Sequence, residues 1–190
     1  MNAIATEHLS KWYGQVSGLN DVTVFVPPGI TGLLGPNGAG KSTFMKLVTG
    51  QLRPSKGSIR VLGEPIWRNH ELYRRIGFCP EQDAFYDRMT GTEWVSALVG
   101  LNGYSEQETA DATRRALSAV DLLDAADRKI GGYSKGMRQR VKLAQAIAHD
   151  PELLILDEPL SGMDPIMRRR TIRQIKEWGR SGKSVLVSSH

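Results

Sequence analysis

A glycine-rich segment in the first quarter of the chain carries the residue types that bind phosphate. In GLLGPNGAGKST, a predicted buried strand precedes Gly35, and Gly40, Lys41 and Ser42 precede a helical pattern at Phe44 to Val48. This is the order of a phosphate-binding loop. Glycines allow a close backbone approach, so that successive N–H groups face phosphate oxygens at the positive end of the helix.

Specific tasks follow for the residues of this loop. Lys41 would reach the β and γ phosphates of a nucleotide, and Ser42 would ligate Mg²⁺. A merely flexible turn is the alternative, but strand, loop, lysine, serine and helix all occur in order. The residues expected to hold the nucleotide here are Gly35, Asn37, Gly38, Ala39, Gly40, Lys41, Ser42 and Thr43.

Two carboxylates follow an apolar strand at LLILDEP. Ligands collect at the carboxyl edge of parallel strands, so Asp157 is placed to hold Mg²⁺ and Glu158 to polarise a water for attack on the γ phosphate. In isolation, Asp-Glu-Pro would be interpreted as a strand-ending turn. Because the same chain contains a phosphate loop, the roles of Asp157 as metal ligand and Glu158 as base are favoured over a turn.

The amino-acid composition is that of an ordinary globular protein. Its 190 residues are 40% hydrophobic and 24% charged, enough for one core with an inserted subdomain. The net charge of +5 is not concentrated beyond short arginine runs, so no nucleic-acid partner is predicted. The single cysteine, Cys79, has no partner for a disulfide and is expected to be a small buried hydrophobe in a reducing compartment. No signal peptide or membrane span is recognisable.

Hydrophobic patterning predicts the elements that position these motifs. Apolar runs alternate with helical stretches, which favours an α/β fold, a P-loop core with a parallel central sheet. The predicted strands are Ile30 to Leu34, Gly57 to Leu62, Ile76 to Cys79, Leu153 to Leu156 and Val185 to Val187. Ahead of them, β-branched and aromatic residues at 8–13 and 21–26 predict an antiparallel entry region.

The stretch from about 88 to 148 is predicted to be a helical subdomain inserted in a catalytic core formed by 1–87 and 149–190. Ser105 and Glu108 form a capping box. Trp94, Leu98 and Leu101 are expected to share one helix face. Ala110, Thr113, Leu117 and Val120 follow at helical spacing.

Together these residues resemble the nucleotide-binding subunit of an ATP-binding cassette (ABC) transporter, over essentially the whole chain. KWYG is similar to the loop whose aromatic, here Tyr13, stacks on adenine; a core aromatic is the alternative. PEQD is similar to the loop whose glutamine, here Gln82, senses Mg²⁺ and the attacking water. Taken alone, Gln82 would be interpreted as a surface residue.

YSKGMRQR resembles the signature motif of the family. By this resemblance, Ser134 and Gly136 bind the γ phosphate of an ATP held by the opposite subunit, at a helix N-terminus suited to anions. The sequence departs from the usual Leu-Ser-Gly-Gly-Gln at Tyr133, Lys135 and Met137. Lys135 adds a compatible positive charge, whereas Met137 removes an amide donor.

Two further motifs complete the resemblance. SGMDP is similar to the loop in which Asp164 shapes the dimer interface, although Asp164 is also suited to be a plain helix N-cap. SVLVSSH ends in His190, at the position of a switch histidine that contacts the γ phosphate. Because members of the family continue past that histidine, the chain is expected to be truncated and to lack an edge of its sheet.

The resemblance implies an ATPase, using ATP and Mg²⁺, that forms a head-to-tail dimer with a second copy. It would act at the cytoplasmic face of the cell membrane on a separate integral membrane permease. The form of the signature is similar to that of ABC-2 type exporters. Two alternatives remain. The single P-loop argues against a soluble cassette ATPase, and the presence of both Glu158 and His190 argues against a nucleotide-gated binding module without turnover.

Overall fold

The computed structural model describes residues 2–189, which form eight strands and six α-helices. Strands at Ile30–Leu34, Ile76–Cys79 and Leu153–Leu156 confirm the predicted bounds. His190, the predicted switch histidine, lies outside the described residues. The elements are β1 (Ile4–Tyr13), β2 (Val16–Val26), β3 (Ile30–Leu34), α1 (Lys41–Val48), β4 (Lys56–Val61), β5 (Glu64–Pro65), α2 (His70–Tyr73), β6 (Ile76–Cys79), α3 (Gly91–Gly100), α4 (Glu106–Ala119), α5 (Lys135–Ile147), β7 (Leu153–Leu156), α6 (Pro165–Arg180) and β8 (Ser184–Ser189).

A parallel sheet in the order β3-β8-β7-β6 lies at the centre. Strand β7 is buried on both faces, with Leu153 and Ile155 in one core and Leu154 and Leu156 in the other. The expectation that β3 is buried was wrong, since Leu34 is 73% exposed. Within the described residues β3 pairs only with β8, so one of its edges is open.

The second sheet is antiparallel, in the order β2-β1-β4-β5, and confirms the predicted entry region. Strand β4 corrects one expectation, because it was grouped with the strands of the parallel sheet and instead pairs antiparallel with β1. The reason lies in its side chains. Ile59 and Val61 are buried while Ser58 and Arg60 are exposed, and this alternation suits a sheet with one covered face.

The helices between β6 and β7 pack on one face of the parallel sheet and share its core. The capping box of Ser105 and Glu108 starts α4 as predicted. The buried residues of α3 are Gly91, Val95 and Val99, whereas Leu101, predicted to share a helix face with Trp94 and Leu98, lies beyond the helix and is exposed. In α4, Thr113 and Leu117 are buried and Ala110 is exposed, and Val120 is buried just after the helix ends.

Helix α5 lies directly on β6. A Cβ atom at Gly77 would stand 1.9 Å from the Ala146 carbonyl oxygen, so this contact requires glycine. Cys79, at the end of β6, is fully buried, and burial raises the pKa of its thiol to about 12. This confirms Cys79 as a small buried hydrophobe. Among the helices of residues 2–189, none has the length and apolar character needed to cross a bilayer.

Candidate functional site

The loop between β3 and α1 depends on glycine at its last position. Gly40 caps α1 with a left-handed backbone, φ 89°, and a Cβ atom there would lie 2.6 Å from the Gly18 carbonyl oxygen. The N–H of Phe44 donates to the Gly40 carbonyl over 2.8 Å and begins the helix. Because the first N–H groups of a helix have no intrahelical acceptor, this end of α1 is suited to bind an anion.

Lys41 lies across the mouth of this loop. Its Nζ donates to the carbonyl oxygens of Gly35 at 2.5 Å and Pro36 at 3.2 Å. The loop residues between them, Asn37, Gly38 and Ala39, are exposed to solvent. The ammonium group is therefore held where phosphate oxygens would meet exposed backbone amides.

The two carboxylates follow β7 in different environments. Asp157 is 5% exposed, and its N–H donates to the Cys79 carbonyl at 2.8 Å, which continues the pairing of β7 with β6. Glu158 has a left-handed backbone, φ 48°, a conformation that costs a non-glycine residue about 1–2 kcal/mol. Its carbonyl accepts a hydrogen bond from Gln139 Nε2 at 3.4 Å. Such strain concentrates at functional sites.

Ser188 on β8 joins the two carboxylate residues, a contact that sequence reasoning missed. The Ser188 hydroxyl, in a residue only 1% exposed, donates to Asp157 Oδ1 at 2.6 Å. The same oxygen accepts the N–H of Glu158 at 2.9 Å. A serine directly after the apolar run Val185–Val187 was the available signal, because a hydroxyl buried with such a run needs a partner.

These elements enclose a cleft of about 190 Å³. It brings together the phosphate loop and both carboxylate residues, as the sequence predicted. A neighbouring cavity of about 390 Å³ shares Ser42 and Asp157 with it and extends to Gln82. The cleft is lined by Gly18, Pro36, Asn37, Gly38, Gly40, Lys41, Ser42, Thr43, Glu81, Asp157 and Glu158.

Tyr13 and Gln82 are both exposed, at the margins of this region. Tyr13 is 46% exposed at the end of β1, which excludes the alternative of a core aromatic. A Cβ atom on Gly18 would lie 2.6 Å from the Tyr13 ring, so the ring covers a residue of the cleft wall. Gln82 follows β6 and lines the second cavity beside Ser42.

The signature segment begins α5 with a capped N-terminus. Ser134 Oγ accepts the N–H of Met137 at 3.2 Å. Tyr133, one of the departures from the usual motif, is buried and donates its hydroxyl to the Ala125 carbonyl at 2.6 Å. Tyr133 thus anchors the segment in the core as an apolar residue would, while satisfying its polar atom.

The signature segment and the SGMDP loop lie against each other. A Cβ atom on Gly162 would stand 2.6 Å from the Lys135 side chain, and one on Gly136 would be 3.3 Å from the Gly162 carbonyl oxygen. Asp164 caps α6, accepting the N–H groups of Met167 at 3.0 Å and Ile166 at 2.9 Å. These hydrogen bonds lower the pKa of Asp164. The helix-cap alternative is therefore confirmed.

The structure does not bring every candidate to one place. Tyr13, Ser134, Gly136 and Asp164 are absent from the lining of the cleft. At the start of α5, Ser134 is exposed and Gly136 is half-buried.

The cleft suits Mg²⁺ when a nucleotide supplies further oxygen atoms. Across residues 2–189, no group of three or more His, Cys, Asp or Glu side chains could hold a metal ion. Ser42 and Asp157 nevertheless line the same space, and Mg²⁺ prefers hydroxyl and carboxylate ligands together with phosphate oxygens. The chain's donors therefore fit a metal carried in with a phosphate.

Solved structures share this fold. A bacterial ABC transporter cassette, described as dimeric, superposes with a TM-score of 0.91 at 24% identity, covering 98% of this chain and 88% of that one. An ATP-binding subunit of an ABC transporter superposes with a TM-score of 0.88 at 30% identity, covering 99% and 79%.

Sequence comparison identifies the family. The model of the ABC transporter family matches residues 19–161. The "Uncharacterized ABC transporter ATP-binding protein YxlF" of Bacillus subtilis is 39% identical over 98% of this chain and 62% of its own length. The bacitracin transport ATP-binding protein BcrA of Enterococcus faecalis is also 39% identical, over 98% of this chain and 61% of its own length. The chain spans about three fifths of the length of these relatives. With fold, cleft and sequence in agreement, the chain belongs to the ABC transporter family, to its ATP-binding cassettes.

Proposed function

We propose that this chain is the ATP-binding and hydrolysing part of an ABC transporter, which drives substrate through a separate membrane subunit. The observation that carries the proposal is the cleft in which the phosphate loop, with Lys41 and Ser42, faces Asp157 and Glu158. The name of one relative, a bacitracin transport ATP-binding protein, and the form of the signature motif support export as the direction.

Within the cleft, each residue has a distinct task. The backbone amides of this exposed loop and the Lys41 ammonium group bind and neutralise the β and γ phosphates. Ser42 and Asp157 hold Mg²⁺, assisted by Gln82 from the second cavity. When bound, Mg²⁺ neutralises charge that develops on the phosphates. Glu158 accepts a proton from the attacking water, and its backbone contacts with Ser188 and Gln139 fix its position.

Two copies of the chain complete each site. Ser134 and Gly136 of one copy bind the γ phosphate of the ATP held by the other copy. His190 of the copy that holds the ATP contacts the same phosphate. The absence of Ser134 and Gly136 from the lining of the chain's own cleft supports their action across an interface. Tyr13 stacks on adenine, for which its exposed ring is available. Asp164 shapes the interface beside the signature segment while capping α6.

The remaining assignments follow from this arrangement. Residues 88–148 form the helical subdomain, and 1–87 with 149–190 form the catalytic core. The subunit acts at the cytoplasmic face of the cell membrane, attached through its permease. The dimer contains two copies of the chain because closed symmetry is the usual solution for such assemblies.

Substitution of Glu158 tests the catalytic assignment. Glu158→Gln is expected to retain ATP binding and ATP-dependent dimerisation while losing turnover, because the amide cannot accept the proton. Turnover is measured by phosphate release, and binding with a fluorescent ATP analogue. Glu152→Gln is the matched control, because Glu152 is an exposed carboxylate at the opposite end of β7 from Glu158. Unchanged turnover in Glu158→Gln would refute the assignment.

Capture of the membrane partner tests the transport assignment. The Glu158→Gln protein, expressed from its full reading frame in its own cells, is purified with Mg-ATP in mild detergent. We expect a multi-spanning membrane protein at equal stoichiometry. Ribosomes or DNA-associated proteins in its place would indicate a soluble cassette ATPase and would overturn the transport assignment.

A further inference from the structure

A buried lysine lies on α5, in the middle of the molecule. Lys142 is 3% exposed, whereas lysine is rarely buried unless it is paired. Burying an unpaired ammonium group is costly, so the partners of Lys142 must compensate the loss of water. Those partners come from a single short segment, the one that carries Gln82.

Lys142 Nζ contacts the residues on both sides of Gln82. It donates to the Glu81 carbonyl oxygen at 2.5 Å and lies 3.0 Å from Asp83 Oδ1. Arg138, one turn earlier on α5, reaches Asp87 Oδ1 at 3.0 Å and Asp83 Oδ2 at 3.8 Å. One face of α5 therefore holds the whole segment from 81 to 87.

Gln82 has no comparable support from its own packing. Its side chain is exposed and lines the cavity that it shares with Ser42 and Asp157. The backbone on either side of Gln82 therefore sets the position of its amide. That backbone is held by two contacts of the Lys142 ammonium group: a charge-assisted hydrogen bond to the Glu81 carbonyl and an ion pair with the exposed Asp83 carboxylate. The ammonium group itself is buried, which strengthens both contacts.

We propose that Lys142 is a positioning residue for the ATPase reaction, acting by fixing Gln82 relative to Ser42 and Asp157. This inference rests on the function proposed above. Lys142 lies eight residues, about 12 Å along the helix axis, from the Ser134 cap of the same helix. Because Lys142 and the Ser134 cap share one helix, the contacts of Lys142 link the signature end of α5 to the Gln82 segment.

A double-mutant cycle between Lys142 and Gln82 tests the proposal in the full-length protein. Lys142→Met keeps the length and apolar stem of the side chain but removes its charge and donors. We expect kcat to fall about tenfold, as for the loss of other supporting contacts around a metal site, with the affinity for ATP unchanged. In a Gln82→Ala background, Lys142→Met is expected to have no further effect on kcat.

Lys183→Met is the matched control. Lys183 Nζ also contacts one carboxylate and one carbonyl, Asp150 Oδ1 at 2.6 Å and the Pro151 oxygen at 2.7 Å, away from the cleft. We expect it to lower the melting temperature without changing kcat. Asp83→Asn is the second variant if Lys142→Met does not fold, because Asp83 is exposed. Asp83→Asn is also expected to lower kcat in the parent protein. In the Gln82→Ala background it is expected to leave kcat unchanged.

Hydrogen exchange gives a readout independent of catalysis. The amides of residues 82–84 are expected to exchange faster in Lys142→Met than in the parent, while those of β7 are unchanged. Multiplicative losses of kcat in the double mutant, unchanged exchange, or a fully active Gln82→Ala would each overturn the role of Lys142. The first two would leave the ATPase assignment intact, whereas a parent protein without ATPase activity would refute both.

Discussion

The Ser188 hydroxyl provides a sharp test of how the two carboxylate residues are held. Ser188→Ala removes the donor to Asp157 Oδ1 and the acceptor of the Glu158 N–H. A buried hydrogen bond to a charged group is worth about 1.5–3 kcal/mol, and an orphaned buried N–H adds about 1 kcal/mol or more. We therefore expect the free energy of unfolding to fall by about 2–4 kcal/mol.

The same substitution should slow the chemical step. The Glu158 N–H bond to Ser188 helps to hold a left-handed backbone at the proposed base, and its loss lets that backbone relax. We expect kcat for ATP hydrolysis to fall about tenfold or more, with a smaller change in KM. Urea unfolding and steady-state phosphate release measure the two effects.

Ser184→Ala is the control for this prediction. Ser184 is also buried on β8, four residues earlier and about 13 Å along the strand. Its substitution is expected to leave kcat unchanged. A Ser188→Ala protein with the stability and kcat of the parent would refute the reasoning, because it would show that Asp157 and Glu158 are held without the hydroxyl.

Two further predictions concern the scaffold. Gly77→Ala is expected to destabilise the protein by about 3 kcal/mol or more, because the new methyl group would lie 1.9 Å from the Ala146 carbonyl oxygen. Gly100→Ala is the control, since a methyl group there has open space. Urea unfolding of both variants checks this prediction. Burial lowers the pKa of His149 below its ordinary 6.5, so the unfolded chain binds a proton more readily and stability should decline as the pH falls below about 6.5. His149→Gln should flatten that decline in unfolding measurements across the pH range, and an unchanged slope would contradict the assignment.

Much of the fold was accessible from local patterns. The apolar run Leu153–Leu156, which is buried on both faces, identified β7 to the residue. The run Val185–Val187 identified β8, which extends to Ser184–Ser189. The capping box at Ser105 and Glu108 located the start of α4. Where the sequence prediction was wrong, as for β4, the local pattern specified a strand but not its partner, since pairing depends on distant residues.

The helix faces show the same limit. Trp94 and Leu98 have the spacing of a buried face, yet Val95 and Val99 point into the core. Spacing fixes which residues share a side of a helix, but the packed neighbours decide which side is turned inward. Trp94 is instead half-buried, and its Nε1 donates to Gln145 Oε1 at 2.7 Å.

The sequence by itself determined the chemistry of the phosphate loop, because strand, glycines, Lys41, Ser42 and helix are contiguous and their geometry is local. It also determined that Asp157 and Glu158 end a strand at the edge where ligands bind. Only the tertiary structure decided how these carboxylate residues and Gln82 are held. Ser188 lies 31 positions from Asp157, and Lys142 lies 60 positions from Gln82. Contacts between residues so distant in sequence exist only once the sheet and α5 have packed.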